Sequence, residues 1–411
     1  LGRWGCGAIR AWGIVPHFVA FWSLAPTPSP LENEYRFIDL MVTEKQNLDR
    51  QASSPEGSSK RLPRLLIAAS GTGGHLFPAI ALAEQLPDYQ IEWLGVPNRL
   101  EKQLVPSQYP LNTIALSGFQ QRFGLDTLRI FGRFAGAILA CRKLLKEGKF
   151  DGVFTTGGYI AAPAIIAARS LGLPAILHES NALPGKVTRW LSPWCSIVAV
   201  GFEVTAKYLP RAKTIYTGTP VRSQFLLPQK LDLPIPENVP LIVVFGGSQG
   251  AVAVNKMVRE SAPAWFDAGA WIVHQTGDND PDAASLQHPQ YIQVPFYDNM
   301  AGLLQRANLA ISRAGAGSVT ELTVTGTPAI LIPYPFAAED HQFFNASVFK
   351  DAGAGLVFRQ SELTSEILSE QVISLLKSPE KLQKLADAAA NLAVIDSAKK
   401  LGNLVRQLLE S

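Results

Sequence analysis

The chain carries one short plan twice. At 65–86 the stretch LLIAASGTGGHLFPAIALAEQL runs from an apolar segment, through a loop of three glycines, into a helical pattern. At 241–258 LIVVFGGSQGAVAVNKMV does so again. A buried strand that turns on glycines straight into a helix is the opening unit of a doubly wound α/β domain. Gly71 and Gly246 stand 175 residues apart, about the length of one such domain.

The rest of the pattern agrees. Apolar strand candidates at 65–70, 91–95, 113–116, 152–157, 175–180 and 197–201 alternate with helical patterns. A second series starts at 241 and continues at 271–277, 291–296, 309–312 and 329–334. LDLPIPENVP (231–240), with three prolines, reads as the link between them. The alternation predicts an α/β protein with parallel sheets covered by helices on both faces. Two Rossmann-like doubly wound domains are expected, their glycine loops facing an interdomain cleft. The expected boundaries are 63–222 and 223–392, with a helix at 393–411 packing back on the first domain. The helix after the first loop is expected to open at Pro78, and the tail from Glu362 to be helical.

Composition narrows the class. Of 411 residues 47% are hydrophobic and 17% charged, which suits a globular protein. The net charge of +3 is too balanced for bulk nucleic-acid binding, so no nucleic-acid partner is expected. Cys6, Cys141 and Cys195 show no CxxC spacing and no disulfide framework, which suggests a reducing compartment. The six histidines include no zinc spacing, so neither a metal nor another cofactor is expected. No apolar stretch reaches the roughly 18 residues of a membrane span. Near the start, IRAWGIVPHFVAFWSLAP resembles a signal-peptide core interrupted by Pro16 and His17, and Met41 is the first methionine. Residues 1–62 are expected to be a disordered or non-native extension, with a targeting segment as the alternative reading of 1–40.

Several motifs carry chemistry. Glycine loops at helix starts expose amides to anions and let the backbone approach a ligand closely. Neither loop here is a P-loop or a dinucleotide fingerprint. Leu76 stands at the third glycine position of the first, and Gly246, Gly247 and Gly250 are misspaced in the second. Gly157 and Gly158 add a third glycine pair. Phosphate binding is the functional reading, a tight turn the bland one. His75, alone among the glycines, is a candidate general base because imidazole titrates near neutrality. The alternative is a histidine that satisfies its own hydrogen bonds.

In SRAGAGSVTEL (312–322) Ser318 and Glu321 have capping-box spacing, yet Glu321 would also suit a sugar diol. Spacing leaves both open. PYPFAAEDHQFFNA (333–346) offers Glu339, Asp340, His341, Gln342 and Asn345 to sugar hydroxyls, or is a solvated loop. HESNALPG (178–185) sits at a strand end, where ligands bind in open sheets. The acidic pair in DND (278–280) reads as a solvated turn. The segment 123–150 mixes apolar residues with Arg129, Arg133, Arg142, Lys143, Lys146 and Lys149. It is either core helix with ordinary surface or a face for anionic lipid.

Taken in order, GTGGHLFPAIALA, TTGGY, LHESN, GTPVR, FGGSQGA, RAGAGSVTEL and DHQFFNA resemble the MurG family of GT-B glycosyltransferases over residues 63–410. The resemblance implies an inverting, metal-independent transfer of N-acetylglucosamine from UDP-GlcNAc to the 4-hydroxyl of the muramyl sugar of lipid I. The products are lipid II and UDP, in peptidoglycan biosynthesis. It further implies a peripheral enzyme at the cytoplasmic face of the inner membrane, with UDP-GlcNAc, undecaprenyl-pyrophosphoryl-muramyl-pentapeptide (lipid I) and an anionic membrane surface as partners.

Residue roles carry over by position. Thr72, Gly73 and Gly74 match the loop beside donor and acceptor pyrophosphate, with Gly157, Gly158 and Tyr159 on the acceptor side. His75 matches the catalytic base. Asn181 matches a residue holding GlcNAc, and Arg222 and Ser248 match residues on the nucleotide. Tyr297 falls at a uracil contact. Ala316, Gly317, Ser318, Val319, Thr320 and Glu321 match the donor loop, with Glu321 on the ribose and grouped with His75 as catalytic. Gln342 matches a glutamine on the sugar. Ser180 and His341 depart from the family pattern, in which glutamines are usual. A diacylglycerol glycosyltransferase of a related family and a UDP-GlcNAc 2-epimerase are the alternatives. A bare sugar-nucleotide binder would have no need of His75.

Overall fold

The computed structural model describes residues 61–97, 100–115, 126–247 and 251–410, with the backbone alone at 126–131. The expected extension therefore lies outside the described residues up to position 60, as does Ser248. Leu62–Ser411 forms one compact unit, and it holds two sheets.

The first sheet contains β1 (Arg64–Ala68), β2 (Gln90–Gly95), β3 (Leu111–Thr113), β4 (Gly152–Thr155), β5 (Ala175–Glu179), β6 (Ile197–Val200) and β7 (Thr214–Tyr216). Their order is β3-β2-β1-β4-β5-β6-β7, with every pairing parallel. Its helices are α1 (Gly73–Glu84), α2 (Glu101–Leu104), α3 (Asp126–Glu147), α4 (Ala161–Ser170) and α5 (Lys186–Leu191).

The second sheet contains β8 (Leu241–Phe245), β9 (Trp271–Gln275), β10 (Tyr291–Val294), β11 (Leu309–Ser312), β12 (Ala329–Leu331) and β13 (Gly355–Val357). Their order is β10-β9-β8-β11-β12-β13, again all parallel. With it go α6 (Val252–Asp267), α7 (Met300–Arg306), α8 (Ala316–Val324) and α9 (His341–Asp351). Then come α10 (Ser365–Leu376), α11 (Pro379–Asn391) and α12 (Ser397–Leu409).

Strand alternation sorts the cores. Leu65 and Ile67 of β1 enter one cluster, and Leu66 and Ala68 enter another on the opposite face. Ile242 and Val244 of β8 divide from Leu241, Val243 and Phe245 in the same way. Because both faces are covered, the strands read as unbroken apolar runs. On α12, Leu401, Leu404 and Val405 have the spacing of one helix face and join Leu76, Ala79 and Leu82 of α1 in the first sheet's core. Each such side chain contributes roughly 2 kcal/mol on burial. Arg406 ties the same helix to Asp88 at 2.7 Å.

Both sheets have a switch point where the strand order reverses, between β1 and β4 and between β8 and β11. Ligands of open α/β sheets bind beyond the strand ends at such points. The glycine motifs at 71–74, 157–158, 246–247 and 315–317 follow those four strands.

The structure corrects several expectations. The helix after the first loop starts at Gly73, not Pro78. No amide from position 78 can reach the Gly74 carbonyl, so Pro78 sits where the helix forgoes one bond. β3 lies at Leu111–Thr113 rather than 113–116. The three-residue β7 and β13 were not anticipated. The 231–240 link lays Leu231, Leu233 and Ile235 on the second core.

Asp280 is no solvated turn. It is buried, and it accepts bonds from Arg259 at 2.7 Å and from the Asn255 amide at 2.8 Å. Among the described residues no helix is long and apolar enough to cross a membrane.

Candidate active site

His75 lies in the first turn of α1, and its Nδ1 is 2.8 Å from the Thr156 carbonyl beyond β4. A carbonyl only accepts, so Nδ1 carries the proton, and in the neutral imidazole it is Nε2 that holds the lone pair. That bond spans the first switch point. A Cβ on Gly157 would approach the imidazole Cε1 to 3.8 Å, and Gly157 and Gly158 both have positive φ, 92° and 74°. Side chains there would be strained, so the paired glycines let the 156–159 loop fold against the imidazole. Tyr159, next in line, is 41% exposed. Thr72 is the N-cap residue of α1 and makes no side-chain cap bond.

After β5, Glu179 organises its own loop. Oε1 accepts from the Asn181 amide and the Asn181 side chain, both at 3.0 Å. Oε2 accepts from Gly185 N at 3.2 Å and Thr188 Oγ1 at 2.6 Å. The buried His178 donates from Nε2 to the Gly218 carbonyl at 2.9 Å, and its Nδ1 faces the Ser180 hydroxyl at 3.3 Å. Burial pushes the His178 pKa below the ordinary range and keeps it neutral. Ser180, the departure from the family pattern, thus serves the histidine two residues before it. Gly218 is forced by a close approach, since a Cβ there would lie 2.5 Å from Val394 Cβ.

Arg222 stands between the two sheets. Its guanidinium lies over the Phe77 ring of α1 at 4.6 Å and over Phe225 at 5.0 Å. Its Nη2 approaches Glu321 Oε1 of α8 at 3.4 Å, and its buried Nε has no partner. Burial pushes the Glu321 carboxyl up to about 7, against the pull of Arg222.

The capping box does not form. α8 begins at Ala316 with Gly315 as N-cap and no side-chain cap bond, so Ser318 lies inside the helix. Glu321 is left free of that role. Ala316, Gly317, Ser318, Val319 and Thr320 form the first turns of α8 beyond β11.

On α9, Gln342 Oε1 accepts from Ala314 N at 3.2 Å and Tyr334 N at 2.9 Å, so its amide group remains as a donor. Asn345 is fully buried and joins the halves. It accepts from Ala182 N at 2.8 Å, and it donates to Asn181 Oδ1 and to the Ala314 carbonyl, both at 3.1 Å. His341 bonds the Ala338 carbonyl at 2.8 Å. Tyr297 donates its hydroxyl to Asp232.

The structure therefore gathers His75, Gly157 and Gly158 at one switch point. It links Asn181 to Asn345, and Arg222 to Glu321, across the halves. Sequence reasoning missed Phe77, Thr188 and Arg189. The partners of Phe77 and Arg189 lie about 150 positions along the chain, and Thr188 meets Glu179 nine residues back only because the loop after β5 folds on itself.

A glycosyltransferase family 28 N-terminal domain model matches residues 65–200, and the corresponding C-terminal domain model matches 241–401. One relative is a UDP-N-acetylglucosamine–N-acetylmuramyl-(pentapeptide) pyrophosphoryl-undecaprenol N-acetylglucosamine transferase from Nostoc punctiforme. It is 71% identical over 351 residues, covering 85% of this chain and 98% of its own. The like-named protein of Trichormus variabilis is 70% identical over 350 residues, covering 84% and 98%. The crystal structure of Acinetobacter baumannii MurG is 30% identical with a TM-score of 0.68, covering 84% of this chain and 99% of that one.

Proposed function

Because the chain belongs to glycosyltransferase family 28, we propose that it transfers N-acetylglucosamine from UDP-GlcNAc to the muramyl 4-hydroxyl of lipid I, giving lipid II and UDP. The names of its relatives favour this over the diacylglycerol and epimerase readings.

The observation that carries the mechanism is the His75–Thr156 bond. It leaves Nε2 as the nitrogen able to take the proton of an attacking hydroxyl. The hydroxyl oxygen forms the new bond to the anomeric carbon, and the bond to the UDP oxygen breaks on the opposite side. Negative charge then grows on the diphosphate. Helix N-termini and the amides of 72–74 are suited to that charge, and Arg222 adds a cation. Glu321 is suited to the ribose hydroxyls, and Asn181 and Gln342 to the sugar. Ser248 and Tyr297 are assigned to the nucleotide, and Gly157, Gly158 and Tyr159 to the acceptor, by family position.

Residues 63–222 are assigned to acceptor and membrane, and 223–392 to the donor. The enzyme would work peripherally, on the cytoplasmic leaflet.

The test is transfer of radiolabelled GlcNAc from UDP-GlcNAc to a lipid I analogue with EDTA present. Labelled lipid II is expected, with no product from diacylglycerol and no 2-epimer. UDP release that ignores the lipid acceptor would overturn the reading.

A further inference from the structure

Two neighbouring residues without the freedom of glycine adopt left-handed backbone just before α9. Glu339 has φ 52° and ψ 28°, and Asp340 has φ 57° and ψ 25°. That conformation is costly for any residue with a Cβ, and strain of this kind persists where surrounding contacts hold it. Here it is held from both sides. Arg359, within the second half, meets Asp340 at 2.8 Å. Arg189, on α5 of the first half, forms an ion pair with Glu339.

The Arg189 end is itself anchored. α5 follows Gly185, and Glu179 binds both the Gly185 amide and the Thr188 hydroxyl. The same Glu179 fixes Asn181, and Asn181 is bonded in turn by Asn345 of α9. The bonds close a ring. It runs from Asn181 through Glu179 and Thr188 to Arg189, crosses to Glu339, and returns along α9 past Gln342 to Asn345.

We propose that Arg189 and Glu339 are a cross-cleft positioning pair that sets the 336–342 segment against the donor sugar. Affinity for UDP-GlcNAc then depends on the pair, whereas affinity for UDP does not. This rests on the reading of Asn181 and Gln342 as sugar-side residues. Neither member is a catalytic residue. Arg189 acts through the Glu339 backbone on the start of α9.

The test uses the full chain and calorimetric titration with UDP-GlcNAc and with UDP at one pH. R189Q and E339Q are each expected to weaken UDP-GlcNAc binding about threefold to fivefold, the size of a half-exposed ion pair, and to leave UDP binding unchanged. The double variant is expected to be no worse than either single, and the swap R189E/E339R to recover most of the loss. Intact UDP binding certifies that each variant is folded.

Single variants that bind UDP-GlcNAc like the wild type would overturn the proposal. So would equal losses for UDP and UDP-GlcNAc, or single effects that multiply in the double variant. The readout involves no acceptor. A chain that binds UDP-GlcNAc yet transfers nothing to lipid I would sink the acceptor reading alone. A wild type that binds neither nucleotide would sink the donor reading and the pair's role together.

Discussion

His75 shows what one residue reveals and what it hides. A lone imidazole between glycines at a helix mouth is legible as a candidate base. Its partner is not, because the Thr156 carbonyl belongs to a backbone 81 positions away. With Nδ1 held and Nε2 open, H75A is expected to lower turnover by about 10²–10⁴-fold while UDP-GlcNAc binding survives. Steady-state kinetics beside a binding titration checks this, and near-normal turnover would remove His75 as the base. Glu321 makes a pH prediction. Burial raises its folded pKa from 4.5 to about 7. In the free protein ionisation is therefore unfavourable, and this group's contribution to stability falls as pH rises between those values. Accepting from both ribose hydroxyls takes the ionised form, since a protonated carboxyl turns one oxygen into a donor, so affinity for UDP-GlcNAc should rise with pH through about 7. Between pH 8 and pH 6 the loss should approach about tenfold, as the competent fraction falls. E321Q should bind more weakly at both pH values and show no such slope. A wild-type affinity flat across that range would remove Glu321 from the ribose.

At the level of elements, the repeated strand–glycine–helix units were legible because each is built from neighbours in sequence. Readings stayed open or went wrong where something beyond local spacing decides. Capping-box spacing was present at Ser318 and Glu321, but α8 starts before Ser318, so the spacing never meets the helix end it would cap. Asp280 looked like a turn residue among polar neighbours. Its counter-ion is Arg259, on α6 and 21 residues earlier, and the Asp280 side chain has no exposure at all. Around the pair, Asn255 bonds the Thr276 carbonyl at 2.9 Å, and His274 bonds Asn255 at 3.0 Å and Tyr291 at 2.8 Å. Burial alone would raise the Asp280 pKa. Bonds from Arg259, Asn255 and the Asp282 amide outweigh it and hold the carboxyl below its ordinary value. D280N would leave a buried guanidinium without its counter-charge, at a cost of about 3–5 kcal/mol. Urea unfolding at pH 7 should show that loss as a lower midpoint. A depressed acid contributes stability above its unfolded pKa and loses it as pH falls through the folded one. The gap between wild type and D280N should therefore hold steady down to about pH 4 and close below it. Equal midpoints at pH 7 would mean that the network does not stabilise the second half.

For the whole molecule, the proposed lipid acceptor raises the question whether one face is suited to a membrane surface. α3 separates its residues cleanly. Ala137, Cys141 and Leu145 are buried along one stripe, while Arg133, Lys143 and Lys146 are exposed, and Leu139 among them is 65% exposed. Arg142 is committed elsewhere, donating to the Ser170 carbonyl at 2.8 Å, so it is a poor probe of lipid contact. α4 packs against both α3 and α5. On and just after α5, Trp190 is 85% exposed and Trp194 49% exposed, with Lys186 also at the surface. Indole rings favour the headgroup layer, and lysines favour anionic lipid. The basic-apolar run at 123–150 was visible in the sequence, whereas its link to the helix bearing Trp190 runs through α4, which packs against both α3 and α5. If this face docks, K143E/K146E should cut partition into phosphatidylglycerol vesicles at least tenfold, since each cation near an anionic surface is worth about 1 kcal/mol. High salt should erase the difference between that variant and the wild type. W190A/W194A should weaken binding in high salt as well, because the loss there is apolar area rather than charge. Transfer to a short-chain, water-soluble lipid I analogue should be unchanged in both variants, which separates docking from chemistry. Unaltered vesicle partition in both would return α3 and α5 to ordinary surface and send the search for the membrane contact to another face.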